Sequence, residues 1–125
     1  MIKLTREKIL LLHKLITESS GNNPSIRDIG SLNRALESAF STSEGKDVYP
    51  TKEEKAAVMC YGIISSKPFI EGNKRLGMCV LLTFMEINGV KLRPTNEEIV
   101  RVASAVESAD MNCKDLLSWI LENKY

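Results

Sequence analysis

The stretch Lys67-Pro68-Phe69-Ile70-Glu71-Gly72-Asn73-Lys74-Arg75 gathers basic side chains, one acid and a glycine at the entry to an apolar run, Leu76 to Asn88. Such a set suits an anion. If a helix begins at Asn73 to Arg75, its first N–H groups lack intrahelical partners and carry partial positive charge. Lys74 and Arg75 add formal charge at the same place, so a phosphate is the fitting ligand. Gly72 permits the sharp turn that brings the loop to the helix end. Glu71 is the loop's only acid, placed to hold a divalent cation against a bound phosphate. A solvated basic loop with a stray carboxylate accounts for the same residues about as well, because short Gly-basic motifs are weak signals.

The elements around this stretch decide whether it can be held rigid. Leu76 to Asn88 is apolar on every side of a helical wheel until Glu86, which places it inside a bundle. It is too short to span a bilayer, which takes about 20 residues. Asn88-Gly89 closes it, since glycine accepts the left-handed backbone of a helix end. Upstream, Thr51-Lys52-Glu53-Glu54 has the form of a capping box and opens a helix to about Ser65, burying Ala57, Cys60, Tyr61 and Ile64. Ser65-Ser66 and the Lys67-Pro68 step end it, because a residue before proline is pushed out of the α region. The loop is therefore pinned between two buried helices, with Phe69 as its apolar anchor.

A first helix is expected from near Thr5, with Ile9, Leu12 and Ile16 on one face and Leu11 and Leu15 widening it. His13 lies among these residues and reads as structural rather than catalytic, so that its loss should cost packing alone. Ser19 to Pro24 ends this helix. Asp28 can cap a second one, from about Ile29 to Phe40, with Leu32, Ala35, Leu36 and Ala39 inward. Ser41 to Pro50 is polar and irregular, the kind of loop that often carries binding function. Thr95-Asn96-Glu97-Glu98 is a second capping box, leading a helix through about Val106. Asn112, with Asp115 at the third helical position, caps the last helix, which carries Leu116, Leu117, Trp119, Ile120 and Leu121. No strand run stands out, and Val90 to Arg93 is a short connector. The fold expected is all-α, a six-helix bundle around a buried central helix at about 74–88, in one domain over residues 1–125.

Composition narrows the function classes. The 17 basic and 16 acidic residues leave a net charge of +1, against a protein whose main task is clasping nucleic acid. Cys60, Cys79 and Cys113 form no CxxC pair, so they read as reduced small hydrophobes in a cytoplasmic protein, with no familiar zinc spacing. Lys3, Arg6, Glu7 and Lys8 interrupt the N-terminal apolar pattern, so no signal peptide and no membrane association are expected.

At this point the motif becomes recognisable. KPFIEGNKR resembles the Fic/Doc signature His-x-Phe-x-(Asp/Glu)-(Gly/Ala)-Asn-(Gly/Lys)-Arg through Phe69, Glu71, Gly72, Asn73, Lys74 and Arg75. Lys74 points to the death-on-curing (Doc) branch, since the adenylylating Fic branch usually has glycine there. The resemblance continues through Ile26-Arg27-Asp28, Gly30, Leu32 and Ala35-Leu36, then Tyr49-Pro50-Thr51, Glu54 to Ala57, and Phe84 with Asn88-Gly89, and so covers nearly the whole chain. It implies a Doc-type toxin that moves the γ-phosphoryl group of a nucleoside triphosphate such as ATP onto a threonine of elongation factor Tu, halting translation. Gly72, Asn73, Lys74 and Arg75 would hold the phosphates, Glu71 magnesium, and Phe69 the loop. An antitoxin protein is the implied partner. No segment matches the family's built-in inhibitory helix, (Ser/Thr)-x-x-x-Glu-(Gly/Asn), so a separate antitoxin is expected.

One departure bears on the chemistry. The family's general-base histidine is Lys67 here. An alkylammonium gives up its proton near pH ~10.4 and an imidazole near ~6.5, so lysine is a poor substitute. Lys67 is expected to serve as a further phosphate ligand. Three readings stay open: a Doc fold whose base was lost naturally or removed to make a toxic protein producible; an enzyme whose hydroxyl proton passes directly to phosphate or water; and a catalytically dead binding module. Fic-type adenylyl transfer is the alternative chemistry.

Overall fold

Capping side chains set where most of the helices begin. The computed structural model describes residues 1–124 and places six helices among them: α1 (Arg6–Ser20), α2 (Ile29–Ala39), α3 (Lys52–Ser66), α4 (Asn73–Ile87), α5 (Asn96–Glu107) and α6 (Cys113–Asn123). Thr5, Asp28, Thr51, Thr95 and Asn112 each accept a first-turn N–H at the start of α1, α2, α3, α5 and α6. The capping boxes of α3 and α6 are complete in both directions. That of α5 is only half made, because the Glu98 carboxylate is drawn away to the Trp119 indole N–H at 2.8 Å. No helix among the described residues is long and apolar enough to cross a membrane.

The bundle is centred on a pair of helices. α4 buries Leu76, Gly77, Met78, Val80, Leu81, Phe84 and Met85, while Cys79, Leu82 and Thr83 are only half-buried. α3 lies against it and is buried just as extensively, through Ala56, Ala57, Met59, Cys60, Ile63 and Ile64. Gly77 makes the close approach possible: a Cβ there would sit 2.6 Å from Ile64 Cγ1. α3 also packs on α2, α5 and α6, and α4 on α1 and α5.

Three expectations change. Leu11 and Leu15 face solvent, and α1 turns Ile9, His13 and Thr17 inward instead. Thr17 is tolerated there because its hydroxyl donates to the His13 and Lys14 carbonyls. Leu121 is likewise exposed. The stretch Ser41 to Pro50, expected to be irregular, holds a small antiparallel hairpin, β1 (Thr42–Ser43) and β2 (Lys46–Asp47). Its turn is Glu44-Gly45, both at positive φ, as a tight two-residue hairpin turn requires. Buried Lys55 anchors it, its Nζ donating to the Tyr49 carbonyl and lying 3.4 Å from Asp47 Oδ2.

Candidate functional site

The loop between α3 and α4 is fixed from several sides. Lys67 ends α3 in the left-handed region, at φ 51° and ψ 65°, a conformation that costs a non-glycine residue roughly 1–2 kcal/mol. The Arg27 guanidinium offsets this by capping the end of α3. Its Nε donates to the Lys67 carbonyl at 2.6 Å and its Nη2 to that of Ser66. The backbone N–H groups of Arg27 and Asp28 both reach the Pro68 carbonyl, and that of Ile70 reaches Ser25. Phe69 is then buried to 2% exposure. Asn73 holds it by both ends of its amide: Oδ1 accepts from the Phe69 N–H at 3.1 Å, and Nδ2 donates to the Phe69 carbonyl at 2.9 Å.

His13 completes the support. Its ring stacks on Phe69 and its Nε2 lies 2.8 Å from the Glu71 carbonyl. A carbonyl only accepts, so Nε2 carries a proton. The role is structural, but the contacts tie it to the motif loop, so its loss removes more than packing. It is also the only histidine in the chain.

The loop opens on a surface pocket of about 330 Å³ lined by Lys67, Glu71, Gly72, Asn73, Lys74, Arg75 and Glu107, among others. Gly72, at φ 85°, is the N-cap of α4 and supplies no side-chain cap. Alone among the six helices, α4 has no capping side chain on its first N–H groups. Lys67, Lys74 and Arg75 stand around them with exposed or half-exposed side chains. Because the Asn73 amide is spent on Phe69, that residue offers an anion its backbone N–H only. Glu71 Oε2 accepts the Asn23 N–H at 2.8 Å. Its remaining oxygen fits a magnesium ion that draws its other ligands from phosphate and water, the usual arrangement for that metal.

Two residues of this pocket lie outside the motif, Asn22 and Glu107, and Glu107 is the one that brings a charge. It ends α5, and its carboxylate lies 3.7 Å from Lys74 Nζ and 4.0 Å from Lys67 Nζ. One trace of it is local: an acid in the last turn of a helix opposes the macrodipole. The cysteines take no part. Burial pushes the Cys60 thiol far above its usual range and raises that of Cys113, so neither is an activated nucleophile.

The Fic/DOC family model matches residues 3–85, which include the whole loop. The chain belongs to the Fic/DOC family. Toxin Doc of Mycolicibacterium smegmatis is 33% identical to it over 89 residues. That alignment covers 71% of this chain and 66% of the relative, just under two thirds of that protein's own length. The stretch that the family model matches includes the loop and the start of α4 that line the pocket, while Glu107 lies outside it.

Proposed function

We propose that this chain is a Doc-type toxin of a toxin–antitoxin pair, acting in the cytoplasm. It binds ATP with magnesium at the α4 N-terminus and transfers the γ-phosphoryl group to a hydroxyl of a translation factor, elongation factor Tu. The observation that carries this reading is the convergence of Lys67, Lys74, Arg75 and the uncapped first turn of α4 on one pocket. Family membership and the likeness to Toxin Doc support it. A separate antitoxin holds the toxin in check.

The chain's own residues divide the work. Backbone N–H groups of the α4 first turn and the Arg75 guanidinium hold phosphate oxygens, with charge-assisted contacts fixing their orientation. Lys67 and Lys74 add charge where negative charge collects during transfer. A magnesium ion held by Glu71 would supply further neutralisation of the phosphates. Arg27, Asn73, His13 and Phe69 keep the loop from moving as this happens. Lysine in place of the signature histidine slows the transfer relative to a histidine-bearing Doc, and general-base help is worth about 10²–10⁴-fold. A loose phosphoryl-transfer transition state does not require an imidazole in particular, so the missing histidine does not abolish transfer.

Lys67 also favours a second reading, in which the chain binds nucleotide and transfers nothing. Labelled ATP incubated with the chain and purified elongation factor Tu decides between them. Label transferred from the γ-position supports the toxin; binding measured by calorimetry without transfer supports the binding module.

A further inference from the structure

Glu107 is not explained by stability. It stands at the helix end where the macrodipole disfavours an acid. Its two ion pairs are between half-exposed side chains, a kind that contributes little to stability. What its placement does achieve is to put a carboxylate beside the end of the Lys67 side chain, the position that carries the base in the Fic/Doc signature. Both ammonium contacts, at 3.7 and 4.0 Å, are longer than hydrogen bonds, so the carboxylate keeps lone pairs free to take a proton. The competing bases are engaged elsewhere. His13 is buried with its Nε2 at the Glu71 carbonyl, and Glu71 holds the Asn23 N–H.

We propose that Glu107 is the general base of the transfer, supplied by α5 in place of an imidazole at position 67. The proposal rests on the reading of the pocket as a phosphoryl-transfer site. The Glu107 carboxylate accepts the proton of the target hydroxyl as that oxygen bonds to the γ-phosphorus. The bond from the γ-phosphorus to the β,γ-bridging oxygen breaks, and its electron pair leaves with the nucleoside diphosphate. Glu107 then gives the proton to solvent and is a carboxylate again. The Lys67 and Lys74 ammonium groups, which line the same pocket within 4.0 Å of this carboxylate, offset its repulsion with a bound phosphate. An acid serving as base for a hydroxyl beside a triphosphate is the arrangement of the protein-kinase catalytic loop.

The test is single-turnover transfer from γ-labelled ATP with magnesium to purified elongation factor Tu, for four chains: wild type, Glu107→Gln, Lys67→His, and the double variant. Calorimetric ATP affinity is measured for each. Glu107→Gln should slow transfer by about 10²–10⁴-fold while ATP affinity holds or rises. Lys67→His should restore transfer in the Glu107→Gln chain, because an imidazole then does the same work. A residue with only a structural role would not be rescued in this way. Transfer by Glu107→Gln as fast as wild type, or faster, would overturn the proposal and make Glu107 a counter-ion that leaves when nucleotide binds. So would a slow Glu107→Gln chain that histidine at 67 fails to restore. If wild type binds ATP and transfers nothing while Lys67→His transfers, the pocket reading stands and Glu107 is not a base. No transfer from any chain removes the phosphoryl-transfer reading and this proposal together.

Discussion

The His13 imidazole lies flat on the Phe69 ring, with 3.6 Å between the ring centroids and 18° between the planes, while its Nε2 reaches the Glu71 carbonyl at 2.8 Å. A helix remote in sequence thus fixes both the anchor of the motif loop and the residue before its turn. Gly72 is part of the same contact, since a Cβ there would stand 3.3 Å from His13 Nε2. His13→Phe keeps an aromatic ring on Phe69 but leaves the Glu71 carbonyl without its donor. It should cost about 0.5–1.5 kcal/mol in urea unfolding, the net worth of one intramolecular hydrogen bond. ATP affinity should fall with it, because Glu71 and Gly72 border the proposed phosphate site. Unfolding and calorimetry on the same preparation check both effects.

Arg75→Ala should weaken ATP binding by about 1.5–3 kcal/mol, or on the order of 10- to 100-fold in Kd, as expected for a lost charge-assisted hydrogen bond. Arg75 is exposed and not part of the core, so the melting temperature without nucleotide should hardly change. Isothermal calorimetry with and without magnesium reads the first effect, and a thermal melt the second.

Gly77→Ala tests the packing that carries the site. The added methyl would meet Ile64 Cγ1 at 2.6 Å and the Cys60 carbonyl oxygen at 3.2 Å. Overpacking of this kind costs about 1–3 kcal/mol. The loss should appear as a lower urea midpoint. ATP affinity should drop too, since α3 and α4 together frame the loop.

Much of this arrangement was legible because it is local. A capping side chain lies within a few residues of the N–H it serves, so Thr5, Asp28, Thr51 and Asn112 could be placed from sequence alone. The apolar run of α4 and the break at Lys67-Pro68 were visible for the same reason. Long-range competition was not. Glu98 leaves its capping box for an indole N–H 21 residues away, and nothing near Glu98 announces that. On α1 the inward stripe runs through His13 and Thr17, two polar residues whose partners are satisfied only in the fold. Hydrophobic spacing therefore drew the stripe too wide and took in Leu11 and Leu15. Glu107 came to the pocket in the same way, through the packing of α5 against α3 and α4.

Asp28 gives a pH prediction. The Ser31 hydroxyl, which donates to its carboxylate at 2.9 Å, is the main cause that holds Asp28 below its ordinary value of 3.8; Arg34 and the Gly30 and Ser31 N–H groups add to it, against some desolvation. The folded state therefore releases this proton more readily than the unfolded chain. Its contribution is present above the ordinary carboxylate value and is lost as pH falls through the lowered one. Asp28→Asn keeps a capping oxygen without the charge. Its urea midpoint should fall less than that of wild type between about pH 5 and pH 2, as a denaturation series in acid would show.

The central claim is that the α4 N-terminus presents a triphosphate for transfer of its γ-phosphoryl group to a protein hydroxyl. The most direct measurement is paired single-turnover labelling of purified elongation factor Tu by the Lys67→His chain, once with ATP labelled at the γ-phosphate and once with ATP labelled at the α-phosphate. Label arriving from the γ-position alone is the predicted result. Label arriving from the α-position would contradict it, because the pocket would then be an adenylylating site.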